Sequence, residues 1–309
     1  MVPGPLTPAA PAGPPAARPT LAAALMVAAT VLIAATTLMA KALGTDALGP
    51  PLPVVQTTFG RYLFGAATIA AVALWARPRV RAANLPWHLL RVACGVTGVT
   101  LMFAASVRIP LAEATAISFL NPVLAMILAI PLLGERVGPW RWAAAGVSLL
   151  GAVVLLRPGA GVVQPGALLA LAAAVALACE VMVIKRLTRS EALLATLVWA
   201  NGLGLLAASA LAVPGWQAPT AAQWGAMAAL GVTMASAQIL YVNAIARADA
   251  SFVTPFSYMT LVFAALYDLA LFGALPDAVG WTGCALIVAG ALLLATRGGR
   301  PVRGRGAAG

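Results

Sequence analysis

Ten runs of apolar residues, separated by short polar breaks, succeed one another along this chain. They fall at about 21–40, 53–76, 85–107, 111–132, 139–156, 165–186, 192–213, 221–246, 250–273 and 278–296. A hydrocarbon core about 30 Å thick is crossed by roughly 20 helical residues rising 1.5 Å each, and every run meets or approaches that length. The breaks carry turn chemistry, as in GTDALGPPLP, RPRVRAANLP, GERVGPW and RPGAGVVQPG, where Pro and Gly punctuate the helices. No break is long enough for a soluble domain. The pattern predicts an all-α integral membrane protein with ten transmembrane helices. The Pro- and Ala-rich residues 1–19 read as a disordered segment, and 297–309 as a basic cytoplasmic tail. The first run is too long for the apolar stretch of a signal peptide.

Composition agrees. The chain is 62% hydrophobic and 9% charged, against about 25% charged in soluble domains, so lipid must cover much of its exterior. The net charge of +11 would suggest nucleic acid on a soluble protein, but the basic residues form no patch with interleaved aromatics, and nucleic-acid binding is excluded. Their distribution sets topology instead. With the N-terminus inside, fifteen of nineteen flank the inner ends (Arg77, Arg79, Arg81 and Arg91 among them), three flank the outer ends (Lys41, Arg108, Arg157), and Arg61 lies within a span. Such a bias places both termini in the cytoplasm of a multi-pass protein of the cell (inner) membrane. Cys94, Cys179 and Cys284 sit inside apolar runs with no metal-ligand spacing, and no cofactor or metal is expected.

An internal repeat sharpens this. Sliding 105–157 onto 244–296 pairs Arg108 with Arg247, Thr115 with Thr254, Ser118 with Ser257, Gly134 with Gly273, Trp142 with Trp281 and Gly151 with Gly290. The offset covers five helices, and an odd number of spans inverts the second copy in the membrane. Two inverted five-helix repeats are a signature of alternating-access transporters.

The stretch from Ala112, AEATAISFLNPVLAMILAIPLLGERVGPWRWAAAGVSLLGAVVLLRPG, resembles the end of an EamA domain, with its Asn-Pro break, its Gly134-Glu135 and a Gly-spaced helix after them. The stretch ADASFVTPFSYMTLVFAALYDLALFGALPDAVGWTGCALIVAGALLL resembles the same ending in a second copy, and Arg61 in TTFGRYLFG also fits. The chain thus resembles the EamA-type transporters of the drug/metabolite transporter superfamily. The resemblance implies repeats at 20–157 and 158–296, and transport of small metabolites. The second copy departs from the pattern, because Ala274 follows Gly273, with Asp277 as a substitute acid nearby.

Ionisable groups inside a membrane usually face the bundle interior. Arg61 shares a helix face with Thr57, Gly65 and Thr68, and either holds the fold or meets a substrate carboxylate or phosphate. Asp268 shares a face with Thr254, Ser257, Leu261 and Ala265. Glu180 lies in the inner half of the sixth run, and Glu113 near the outer end of the fourth, where a helix N-terminus also favours an acid. Pro122 beside Asn121, and Pro255, break helices and free backbone carbonyls. Asn243 joins Thr233 and Ser236 on a polar face of the eighth run. These residues are the candidates for the substrate or proton pathway. The Gly-spaced helices five and ten (Gly146, Gly151, Gly283, Gly290) read as packing faces. Three acids against one arginine leave the interior at −2, which favours proton coupling or a zwitterionic or cationic substrate.

Enzyme chemistry finds no support: His88 is the only histidine, and no HExxH motif or P-loop occurs. The expectation is a secondary carrier that works without ATP, with a small-molecule substrate, protons as an optional partner, and the bilayer as its surroundings. A channel or lipid translocator is the rival reading, ahead of a membrane-embedded enzyme. Reporter fusions test the topology: 77–91 and 297–309 report inside, 157–164 outside. A C-terminus on the outside would refute the orientation and the even span count together.

Overall fold

The computed structural model describes residues 19–77, 84–133, 138–156, 164–187, 191–245, 247 and 256–297. Those residues form a helical bundle: α1 (Pro19–Gly44), α2 (Val54–Ala76), α3 (Leu85–Ser106), α4 (Leu111–Ser118), α5 (Asn121–Leu133), α6 (Pro139–Leu156), α7 (Pro165–Leu187), α8 (Leu193–Ala212), α9 (Ala221–Ile245), α10 (Met259–Phe272) and α11 (Ala278–Arg297). Helices α4 and α5 are the two parts of one apolar run. The chain breaks at Phe119 and Leu120, just before Asn121 and Pro122, where the Leu120 N–H donates to the Ile117 carbonyl (3.0 Å) instead of continuing the α-ladder. Thr254, Pro255 and the Gly134-Glu135 pair lie outside the described residues.

Among the described residues, six helices, α4 and α5 taken together as one of them, are long and apolar enough to cross a membrane. Helices α6, α10 and α11 contain shorter apolar stretches. Helix α9, with 25 residues, reaches about 37 Å and is diluted by Gln223, Thr233, Ser236, Gln238 and Asn243. Leu74, Trp75, Leu206 and Leu271 stand well exposed, as lipid-facing side chains would. The chain is a multi-pass membrane protein.

Local chemistry sets the helix ends. Arg77 closes α2 in the left-handed region (φ 46°), its N–H donating to the Ala73 carbonyl. Gly273 closes α10 the same way (φ 61°), and the next N–H, of Ala274, returns to the Asp268 carbonyl at 3.3 Å. A glycine suits that backbone because it has no Cβ to clash. Asp277 then caps α11: its Oδ1 accepts the Gly280 N–H at 2.8 Å.

In the following, the near face is the side where α1 begins and the far face the opposite one. Helix α3 packs along α7, and α1 along α9. Helix α2 lies against α8 and α9, α3 also touches α8, α1 touches α10, and α7 touches both α4 and α5. Helices α4 and α10 meet, α4 also touches α11, and α6 packs closely along α11. Glycines set that last spacing. A Cβ at Gly151 would lie 2.8 Å from the Gly283 carbonyl oxygen, and one at Gly290 would strike Ser148. Gly146 points into open space, so it is no part of the packed face.

The contrast is testable. Gly151→Leu should destabilise the purified protein by about 1–3 kcal/mol through overpacking, seen as a lower melting temperature in detergent. Gly146→Leu should melt like the unaltered chain. Equal melting of the two variants would mean that the α6–α11 contact is not glycine-spaced.

Candidate functional site

On the far face, the last turn of α1 carries Lys41 and the last turn of α10 carries Asp268. Their side chains meet at 2.5 Å, almost completely buried. The second Asp268 oxygen accepts the Leu111 backbone N–H at 2.8 Å, which is the first residue of α4. One carboxylate therefore ties three helices. It takes a cation and one of the orphan N–H groups that every helix start leaves unpaired. Phe272 adds its ring 4.7 Å from the ammonium. Further polar ties close the same face. The Gln56 side chain exchanges two hydrogen bonds with the Gln217 backbone, and Gln223 donates to the Pro50 carbonyl.

On the near face, His88 is fully buried at the start of α3, with Nε2 2.9 Å from a Glu191 oxygen. The other Glu191 oxygen accepts from the Asn84 side chain, and Trp199 stacks on the imidazole. One turn further into α3, Arg91 donates to the Thr196 carbonyl at 2.8 Å and faces Glu180 of α7 at 3.5 Å. Gly95 leaves room for that carboxylate, since a Cβ there would lie 3.1 Å from it.

Between the two faces lies Arg61 of α2. It is 6% exposed, and its guanidinium carbon is 4.5 Å from the Tyr62 ring centre. Glu180 lies within electrostatic reach of both Arg61 and Arg91. Yet Nη1 of Arg61 has no hydrogen-bond partner, nor has the hydroxyl of Thr57 one turn before it. Thr68 on the same face is satisfied by its own helix, through the Phe64 carbonyl. Beside Gly65, the Asn201 carbonyl oxygen faces α2, while its amide donates to Leu197.

The other candidates are dispersed. Glu113 is buried in the first turn of α4, facing Gly280 beside the cap residue Asp277. It lines a far-face cavity of about 540 Å³ with Arg108, Gln164 and Asp277. Asn121 opens α5, and Ser257 lies just before α10, its carbonyl accepting from Thr260. Asn243 is engaged locally: its amide donates to Ile239 and its oxygen accepts from Arg247.

The charge count needs correction. Arg61 is not the only basic side chain within a helix. Lys41 and Arg91, taken from the sequence as flanking residues, are buried among helices at 7% exposure each. Lys41, Arg61 and Arg91 match Glu113, Glu180 and Asp268 in number, so the argument for a −2 interior, and for a cationic substrate, falls. A sequence signal existed: Lys41 and Arg91 each lie within three to seven residues of a helix end, where a long side chain can turn either outward or inward.

Known proteins extend the picture. The riboflavin transporter of Vibrio cholerae is 33% identical over 214 residues, covering 69% of this chain and 72% of that one. The S-adenosylmethionine uptake transporter of Rickettsia prowazekii is 24% identical over 248 residues, 80% of this chain and 84% of that one. One solved crystal structure superposes with a TM-score of 0.58 at 28% identity, covering 88% of this chain and 99% of the other. Residues 20–157 and 164–296 each match the EamA-like transporter family. The chain is a membrane transporter and no enzyme, and it belongs to the EamA-like transporter family.

Proposed function

We propose that this protein is a secondary carrier of a small metabolite, working without ATP by alternating access. Riboflavin is the first substrate to test, because the relative that is 33% identical over 214 residues is a riboflavin transporter; S-adenosylmethionine is the second. The observation that carries the reading is the packing between the halves 20–157 and 158–296, each taken as five spans. Exchange the halves, and α3 against α7 becomes α9 against α1. Likewise α1 against α10 becomes α7 against α4 and α5, and α2 against α9 becomes α8 against α3. The pairs α2–α8, α4–α10 and α6–α11 map onto themselves. Two family matches in tandem support the same two inverted repeats.

In this reading, the near face is cytoplasmic and the protein resides in the inner membrane, consistent with the basic-residue bias. Arg61 lies between polar ties at the two faces. The Lys41–Asp268–Leu111 tie joins the two halves and acts as an outer latch. It holds the far ends of α1, α4 and α10 together until substrate or a proton weakens it. Glu180 and Glu113 are the remaining membrane acids for coupling. Asn121, Ser257, Pro122 and Pro255 mark the α4–α5 and α10 breaks along the pathway, with Asn243 at its near end.

Two measurements test this. Proteoliposomes preloaded with unlabelled riboflavin or S-adenosylmethionine should accumulate the same labelled compound by counterflow, with saturation. Flux that never saturates and shows no counterflow would indicate a channel. The latch has its own signature. Asp268→Asn keeps an acceptor for Leu111 but strands Lys41, and breaking a buried pair costs about 3–5 kcal/mol. Its melting temperature should drop, and Lys41→Met added to it should recover most of the loss while the transport rate stays altered. If the double variant melts no higher than Asp268→Asn, the pair is not the latch.

A further inference from the structure

The unpartnered atoms of α2 point to the chemistry of the bound molecule. A buried hydrogen-bonding group without a partner is costly in an apolar interior, and few persist without a reason. Among the described residues such atoms occur on Thr57, Arg61, His88, Arg91 and Gln238, and those of Thr57 and Arg61 stand together on one helix. Thr57 and Arg61 stand four residues apart on one helix face, so their Cβ atoms are about 5–6 Å from each other. Thr57 is 1% exposed and Arg61 6%, so neither the hydroxyl nor Nη1 is turned out to solvent. Their neighbours do not fill the gap. Glu180 faces Arg91 as an ion pair at 3.5 Å, Tyr62 engages Arg61 without satisfying Nη1, and Asn201 presents its oxygen to Gly65, the next turn along. The local cluster of Arg61, Arg91 and Glu180 holds two guanidiniums against one carboxylate. The unpartnered Nη1 therefore calls for an acceptor, and preferably a negative one. A guanidinium fork and a hydroxyl are complementary to paired oxygens.

We infer that Thr57 and Arg61 form the subsite that receives acceptor oxygens of the transported molecule, either a carboxylate or a pair of ring carbonyls. The inference rests on the carrier reading above and gives it a substrate class. Without such a molecule Arg61 keeps Nη1 unpartnered and shares the one nearby carboxylate, Glu180, with Arg91. In the loaded protein the substrate's oxygens complete its hydrogen bonds and offset its charge. Arg91 stays with Glu180 and Thr196 throughout, and holds that acid away from the subsite.

The experiment separates the subsite from the substrate choice. The purified full chain, Arg61→Gln, Arg61→Lys and Thr57→Val are melted in detergent without ligand, and each is titrated with riboflavin and with S-adenosylmethionine. A subsite residue that lacks its partner costs stability, so Arg61→Gln and Thr57→Val should melt at or above the unaltered chain. Arg61→Lys loses the planar fork, and the bound probe should weaken roughly 10- to 100-fold. Dependence on Arg61 for S-adenosylmethionine alone assigns the subsite to a carboxylate, and for riboflavin to ring carbonyls. If Arg61→Gln melts well below the unaltered chain and adding Glu180→Gln restores it, Arg61 is a structural partner of Glu180 and the inference is wrong. It is equally wrong if the stable variants bind a probe as tightly as the unaltered chain does. Should the unaltered chain bind neither probe while Arg61→Gln and Thr57→Val still gain stability, the subsite stands and the choice of substrates in the carrier reading fails.

Discussion

A charge buried among apolar helices must find a partner, and that requirement orders the interior of this protein. Moving an ion out of water costs several kcal/mol even after relaxation, so each buried charge selects which helices may lie side by side. Asp268 draws α1 and the start of α4 to the far end of α10. Arg91 draws α7 and the first turn of α8 to the near end of α3. The apolar contacts that fill the space between are undirected. Helices of Ala, Leu and Val slide and rotate against one another with little penalty, and the polar ties supply the register. Glycines do the complementary work where no charge is present, letting α6 and α11 approach until backbone meets backbone.

Arg61 has an unpartnered nitrogen one turn from an unpartnered hydroxyl, whereas the unpartnered nitrogens of His88 and Arg91 belong to side chains already held by Glu191, Thr196 and Glu180. A protein that binds a polar molecule inside a membrane needs groups that are unsatisfied until the molecule arrives. It also needs closures at each side that hold while it is enclosed. Polar ties lie toward both faces here, Lys41–Asp268 at the far one and His88–Glu191 and Arg91–Thr196 at the near one, with the Thr57–Arg61 pair between them.

Much of this was legible in the sequence because hydropathy and helix punctuation are local. The ten apolar runs foresee the helix boundaries to within a few residues over the described segments, and Asn121-Pro122 foretells the α4–α5 break. The glycines of α6 and α11 announced a packing face, except Gly146. What the sequence hid was pairing. The partner of Lys41 is 227 residues away, and nothing local distinguishes a lysine that turns inward from one that turns to the headgroups. Read as a flanking charge, it distorted the count of interior charge, as Arg91 did. Asn243 and Thr57 each lie on a polar stripe, but Asn243 is occupied by Ile239 and Arg247 while Thr57 is not. Periodicity identifies a face, and only the neighbouring helices decide which members of it stay unsatisfied.

The central claim is that Arg61 and Thr57 are held ready for a ligand. The most direct measurement is a structure of the full chain in a lipid environment with bound substrate, at a resolution that shows side chains and ligand. The account predicts acceptor oxygens of the ligand at about 2.7–3.2 Å from Arg61 Nη1 and Thr57 Oγ1, with Glu180 still beside Arg91. A ligand seated elsewhere, with Arg61 bonded to Glu180, would contradict it.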